Sequence, residues 1–451
     1  MFSPFEFIKR VNEARSRPGS LGAALVKGAV GTAAIKVASA GIAFATSIVL
    51  AKSLGPAGYG IFSYVVALVA LLAIPSELGI PSLTVREIAV SNTHRDWGRM
   101  RGYIIWSHRT VAITCGCLIL LSAMALFVWG ERFGEAKLAC MWLALLLVPL
   151  VSLGALRDAM LRGLRKVLLG QLSQPLIRPL ILLVLLLVLS QLDVSLTSPV
   201  RVMCLHILSV ATAFLIGLSL FLANRPAELG SEPPKYHAAS WLKSSIPFGM
   251  TAALQLINGR TDILALGLFR ADAQVGIYRV ASQLAAVVIF GMQAVAAIQG
   301  PHIANLFAKG DMKKLQHMIT RSTQAIVMIA VPVVFVIILF GTFIIRTIYG
   351  AAYEAAYLPL VILCLGQLFN ASMGSVASLL NMTGHERDTT RSVLVGALVN
   401  VTLNLTLVPL WGMNGAAIAT ATTLVVWNVL MWHKARVRLG IETSPFLRRV
   451  R

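Results

Sequence analysis

Apolar runs of about 20 residues, each long enough to cross a bilayer as a helix, recur twelve times along this chain. They fall roughly on residues 30–51, 57–80, 103–129, 138–156, 168–190, 199–223, 247–269, 274–300, 320–342, 357–380, 392–410 and 415–433. Short connections join them, and the hydrophilic connections alternate. The pattern predicts an all-α, polytopic integral membrane protein of about 12 transmembrane helices. It divides the chain into a first segment 1–29, six spans over 30–223, a polar linker 224–246, six spans over 247–433 and a basic tail 434–451. In the first segment Phe2, Phe5, Ile8 and Val11 approach helical spacing beside Lys9, Arg10 and Arg15. That reads either as a short amphipathic helix on the membrane surface or as a frayed tail. It lacks the compact apolar core and cleavage site of a signal peptide.

The halves share a signature. Gly60-Ile61-Phe62 and Gly276-Ile277-Tyr278 each lie at the start of an even-numbered span, 216 residues apart. With six spans per half, this suggests a parallel repeat about an axis along the membrane normal, a design that places a substrate site between the halves.

Composition sharpens the picture. Of 451 residues, 57% are apolar and only 13% charged, about half the usual charged share of a soluble chain. The formal charge of +21 could signal nucleic acid, but its distribution argues otherwise. About 29 of the 39 Lys and Arg residues fall on one side of the predicted topology and about 6 on the other. The basic side is expected to be cytosolic, with both termini there. Cys115, Cys117, Cys140, Cys204 and Cys364 all lie in apolar runs, without metal or disulfide spacing.

Polar groups inside the spans carry the candidate chemistry, because an ionised side chain at mid-bilayer costs about 2.5–3.5 kcal/mol on insertion scales. In span seven Thr251, Gln255, Asn258, Gly259 and Asp262 form one stripe, which should face the bundle interior. Arg260 lies roughly 200° around the helix from Asp262. It needs a partner on another helix, as a structural ion pair, or a cavity holding water or an anion. Span five places Gln171, Gln174 and Arg178 on one face ahead of Pro179. Arg178 either snorkels, pairs locally, or offers its planar fork to a diphosphate. Lys36 in span one either lines the interior or snorkels. Arg279, near the outer end of span eight, is expected to reach the outer surface. The sequence has no phosphate-binding Gly-rich loop ahead of Lys-Ser/Thr, no H-E-x-x-H and no G-x-S-x-G. No catalytic residue, metal site or cofactor is therefore assigned.

Several ordered stretches resemble polysaccharide-biosynthesis flippases of the multidrug/oligosaccharidyl-lipid/polysaccharide superfamily. The Leu-Gly-Pro-x-x-Tyr-Gly of Leu54 to Gly60, the turn Glu77-Leu78-Gly79 and the Thr-x-Arg-Glu of Thr84 to Glu87 carry this resemblance. So do residues 161–181, 262–285, 349–370 and 407–428. The resemblance implies a V-shaped bundle of two six-helix lobes. It also implies transfer of undecaprenyl-diphosphate-linked oligosaccharide across a bacterial inner membrane. On that reading Lys36, Arg178 and Arg260 are candidate diphosphate or glycan contacts, and Gln171, Gln174, Gln255 and Asn258 hydrogen-bond sugars. Asp262 either couples transport to H+ or Na+ or balances an arginine. Partners would be the lipid-linked glycan, membrane lipids, and polysaccharide polymerase and export proteins, with no nucleic acid. Two other readings stay open: a cation-coupled drug exporter of the same superfamily, and a membrane scaffold without transport of its own.

Overall fold

The computed structural model describes residues 21–192 and 195–444. Most of the amphipathic segment expected near the start, and the last residues of the basic tail, lie outside that range. The fold is all-α, with no strand among the described residues.

The first helix, α1 (Leu21–Glu77), is one hydrogen-bonded run interrupted at Gly55, whose φ of 64° only glycine adopts cheaply. Pro56 then opens the second segment, where its fixed φ suits a helix start and its missing N–H costs nothing. The Leu-Gly-Pro sequence is thus a helix break. Leu78 and Gly79, both at positive φ, turn the chain into α2 (Ile80–His94). Here the structure departs from the expected hydrophilic connection. Ile80, Leu83, Thr84, Glu87 and Ile88 form a buried face of α2, and the Thr-x-Arg-Glu motif supplies its polar anchors. The Thr84 and Tyr103 hydroxyls lie 3.0 Å apart, and Glu87 accepts from Arg99 at 2.6 Å. Asp96 caps α3 (Trp97–Trp129) by accepting from the Arg99 N–H.

Next come α4 (Glu135–Ala144) and α5 (Leu147–Gly163), which runs past its expected end. The extension buries Arg157 and Asp158 as a 2.7 Å ion pair, with Arg157 also donating to the Phe214 carbonyl. The region before Arg178 is irregular. A 3-10 turn (Leu169–Gln171) and a π turn (Ser173–Ile177) precede α6 (Arg178–Gln191). Pro175 and Pro179 each remove an N–H from the ladder there.

The remaining helices are α7 (Pro199–Asn224), α8 (Ala238–Phe269), α9 (Asp272–Ala285), α10 (Val287–Ala308), α11 (Met312–Ile348), α12 (Tyr357–Met373), α13 (Val376–Met382) and α14 (Glu386–Leu439). The last breaks at Gly412, φ 55°. Among the described residues, eight elements are long and apolar enough to cross a membrane. Two of them, Ala34–Glu77 and Glu386–Leu439, have 44 and 54 residues. At about 1.5 Å per residue, each is long enough to cross a hydrocarbon core of about 30 Å twice. The polar α8 is not among the eight.

The two repeat glycines meet. A Cβ on Gly60 would strike the Asp272 carbonyl and one on Gly276 the Pro56 carbonyl, and each such Cβ would come within 3.0 Å of the other glycine's backbone nitrogen. The second segment of α1 and the start of α9 therefore cross backbone to backbone. Nearer the opposite end, Gly79 packs against the backbone of Ser245 and Gly249.

Candidate functional site

Asp262 sits where α8, α9 and α14 converge and is only 8% exposed. Its carboxylate accepts from the Tyr278 hydroxyl at 2.6 Å and from the Ile263 N–H at 2.8 Å. The Tyr278 oxygen lies 3.4 Å from that of Thr420. The aromatic of the second repeat signature thus fixes the carboxylate of span seven.

Arg260 does not pair with it. Among the described residues, Arg260 has no carboxylate oxygen within ion-pair distance and no side-chain hydrogen bond. It lies within electrostatic reach of Arg279, Asp262 and Arg178. Arg260 on α8 thus feels guanidinium groups from α6 and α9, while Asp262 feels Arg260 and Arg279. Arg279, expected near the outer end of its span, is half-buried on α9 and acts electrostatically on both Arg260 and Asp262.

The structure treats the amides differently from one another. Gln174 accepts from Arg178 at 3.2 Å, and its Nε2 lies where a Cβ on Gly154 would be. Gln174 consequently orients Arg178 from a π turn, a local geometry common at functional sites. Gln171 is half-buried in the preceding 3-10 turn, without a side-chain hydrogen bond among the described residues. Asn258 donates to the Leu254 carbonyl at 3.0 Å and to Val393 at 3.4 Å, leaving its buried Oδ1 unpartnered. Gln255 is exposed and makes no side-chain hydrogen bond among the described residues. Lys36 is exposed on α1, without an ion pair among the described residues. It is not among the charges acting on Arg260.

Two further groups escaped sequence reasoning. His206 on α7 is buried edge-on against Phe62, centroids 5.4 Å apart, with Nδ1 unpartnered and Arg178 within electrostatic reach. Lys137, at the start of α4, reaches from the first half to the second. It donates to Asp272 at 2.7 Å and to the Gly267 carbonyl at 2.9 Å, and lies 4.4 Å from the Tyr64 ring centroid. Neither could be ranked from sequence, because their partners are remote along the chain.

Chemically, a cluster with three permanent cations and one hydrogen-bonded carboxylate favours a polyanion. No group of His, Cys, Asp and Glu suited to a metal ion occurs among the described residues.

Comparison with known proteins gives a consistent answer. The family model for polysaccharide biosynthesis proteins matches residues 25–300, and the MatE model matches 247–406. Over 175 residues the chain is 27% identical to the probable low-salt glycan biosynthesis flippase Agl15 of Haloferax volcanii. Over 172 residues it is 28% identical to the probable flippase AglR of the same organism. Each match covers 38% of this chain and 36% of the relative, so about a third of either relative is spanned. Among solved structures, an inward-facing multidrug resistance MATE family transporter matches with TM-score 0.71 at 14% identity, covering 90% of this chain and 98% of that one. The lipid II flippase MurJ in an inward closed conformation matches with TM-score 0.68 at 13% identity, covering 91% and 87%. At these identities the structural matches speak for the fold.

Proposed function

Because the chain belongs to the polysaccharide biosynthesis protein family of the multidrug/oligosaccharidyl-lipid/polysaccharide superfamily, we propose that it flips a lipid-linked oligosaccharide across a membrane. The substrate is an undecaprenyl-diphosphate-linked glycan, moved from the cytosolic to the outer leaflet of a bacterial inner membrane. Twelve crossings in two six-helix lobes, with both termini cytosolic, form the alternating-access frame.

The observation that carries this reading is Arg260, without an ion-pair partner among the described residues and within electrostatic reach of Arg178, Arg279 and the Tyr278-held Asp262. A diphosphate offers several acceptor oxygens to guanidinium forks. The two halves of the chain contribute to the cluster together, since Arg178 lies before the linker and the others after it. Gln255 and Asn258 are the nearest candidates for sugar hydroxyls on α8. Asp262, held by Tyr278, is the candidate coupling or charge-balancing group. A cation-coupled drug exporter is the second reading, favoured by the MatE match over residues 247–406. The excess of arginine over carboxylate in the cluster speaks against a cationic substrate.

The test is leaflet sidedness of the lipid-linked oligosaccharide in proteoliposomes, read with a membrane-impermeant glycan-cleaving probe. Purified protein should raise probe access, and Arg178→Ala with Arg260→Ala should reduce the rate by roughly 10–100-fold, the loss of one or two charge-assisted contacts. Wild-type flipping by the double variant would sink the arginine site. Absence of flipping by folded wild-type protein, with cationic dyes moved instead, would favour the exporter.

A further inference from the structure

Helix α11 carries two opposed faces. One is buried throughout: Leu315, Ile319, Thr323, Ile326, Ala330, Val334, Ile337, Gly341 and Ile345 follow helical spacing from end to end. The opposite stripe is exposed and changes character along its length. Lys313, His317 and Arg321 follow one another at a single-turn spacing. Met328, Val331, Phe335 and Leu339 continue the line as exposed apolar side chains, and Arg346 ends it. At about 100° per residue all of these fall within about 80° of arc.

Length fixes where this stripe stands. Arg321 and Arg346 are about 37 Å apart along the axis, slightly more than a hydrocarbon core of about 30 Å. The apolar section therefore faces acyl chains and the two arginines bracket it. Lys313 and His317 project up to about 12 Å beyond Arg321, through the headgroup layer. The three charges at the near rim are not spent inside the protein. Lys314, off the stripe, pairs with Asp311 at 2.7 Å, and Arg346 meets Glu354 at 3.5 Å. Lys313, His317 and Arg321 have no acidic partner among the described residues. Lys313, in the first turn, also opposes the helix dipole, which adds to its need for a negative counterpart outside the chain.

We infer that Lys313, His317 and Arg321 form a binding face for the phosphate headgroups of acidic phospholipids in the adjoining leaflet. The same face that contacts acyl chains through Met328 and Phe335 thus selects the lipids at its rim. This inference does not depend on which glycan the protein handles.

The test is native mass spectrometry of the full chain released from mixed phosphatidylglycerol and phosphatidylcholine micelles, counting retained lipids. Wild type should retain phosphatidylglycerol in preference. The triple variant Lys313→Gln, His317→Gln, Arg321→Gln should lose about tenfold of that preference. A charge-matched control, Lys314→Gln with Arg346→Gln, should keep it, as should Arg321→Lys. An unchanged preference in the triple variant would overturn the inference. So would an equal loss in the charge-matched control, which would indicate net charge alone. Inorganic phosphate displacing the lipid at matched concentration would indicate a small-anion site instead.

Discussion

Lys137 illustrates what one buried cation can organise. Its ammonium donates to the Gly267 carbonyl near the end of α8 and pairs with Asp272 in the first turn of α9, so the α8 dipole favours the cation and the α9 dipole favours its carboxylate partner. Breaking a buried ion pair by removing one partner costs about 3–5 kcal/mol. Asp272 is about a quarter exposed, which lowers the expected loss for Asp272→Asn to about 1–3 kcal/mol. The swap Lys137→Asp with Asp272→Lys should recover part of it. Thermal unfolding in a double-mutant cycle checks this, and a coupling energy near zero would refute the pairing. The site was only partly legible at this scale. The charges of Arg178, Arg260 and Asp262 stood out because their neighbours are apolar. Arg279 and His206 did not, since an arginine near a span end has a cheap alternative in snorkelling and a lone histidine has no spacing. Arg157 and Asp158 read as connection residues because neighbours in sequence rarely announce that both will be buried.

Among elements, the segment before α8 behaves as a strap across the start of α3. The Lys235 N–H donates to the Gly98 carbonyl at 2.9 Å, the Gly98 N–H donates to Glu232 at 3.1 Å, and Arg101 donates to the Glu232 carbonyl at 3.1 Å. Gly102 leaves room for the Lys235 backbone, which any Cβ would strike. Asp96 joins the two by accepting from the Arg99 N–H and from Lys235. The Arg99 N–H first, and Lys235 after it, hold the Asp96 carboxyl below its ordinary 3.8. A depressed carboxyl contributes stability that is complete above its ordinary value and fades as pH falls through the lowered one. Limited proteolysis of residues 225–237 should therefore be flat from pH 7 to about 5 and accelerate only below the ordinary carboxylate range. Gly102→Ala should make cleavage fast at every pH, and a strap equally protected in that variant would contradict the packing. The elements themselves were largely legible, because apolar run length and Gly-Pro punctuation are local signals. The helix α2 was missed because its short buried face is interrupted by Thr84, Arg86 and Glu87, whose partners Tyr103 and Arg99 lie on the next helix.

For the whole molecule, the crossing of Gly60 and Gly276 joins segments before and after the linker through the two matching Gly-Ile-aromatic signatures. Equivalence predicts equal effects. Gly60→Leu and Gly276→Leu should each force the crossing apart at an overpacking cost of about 1–3 kcal/mol. A population shift of that size should raise labelling of a cysteine at Thr420 by a membrane-impermeant maleimide roughly tenfold, in a background lacking the five native cysteines. Labelling raised by only one substitution would break the equivalence. The same contact constrains how such a chain could have arisen. If two identical halves once met at this point, any mutation there would have inserted two side chains into one gap at once. Doubling the gene would have relieved that penalty by letting either position change alone. Both positions are glycine in this chain, so the geometry, not the ancestry, accounts for what is found there now.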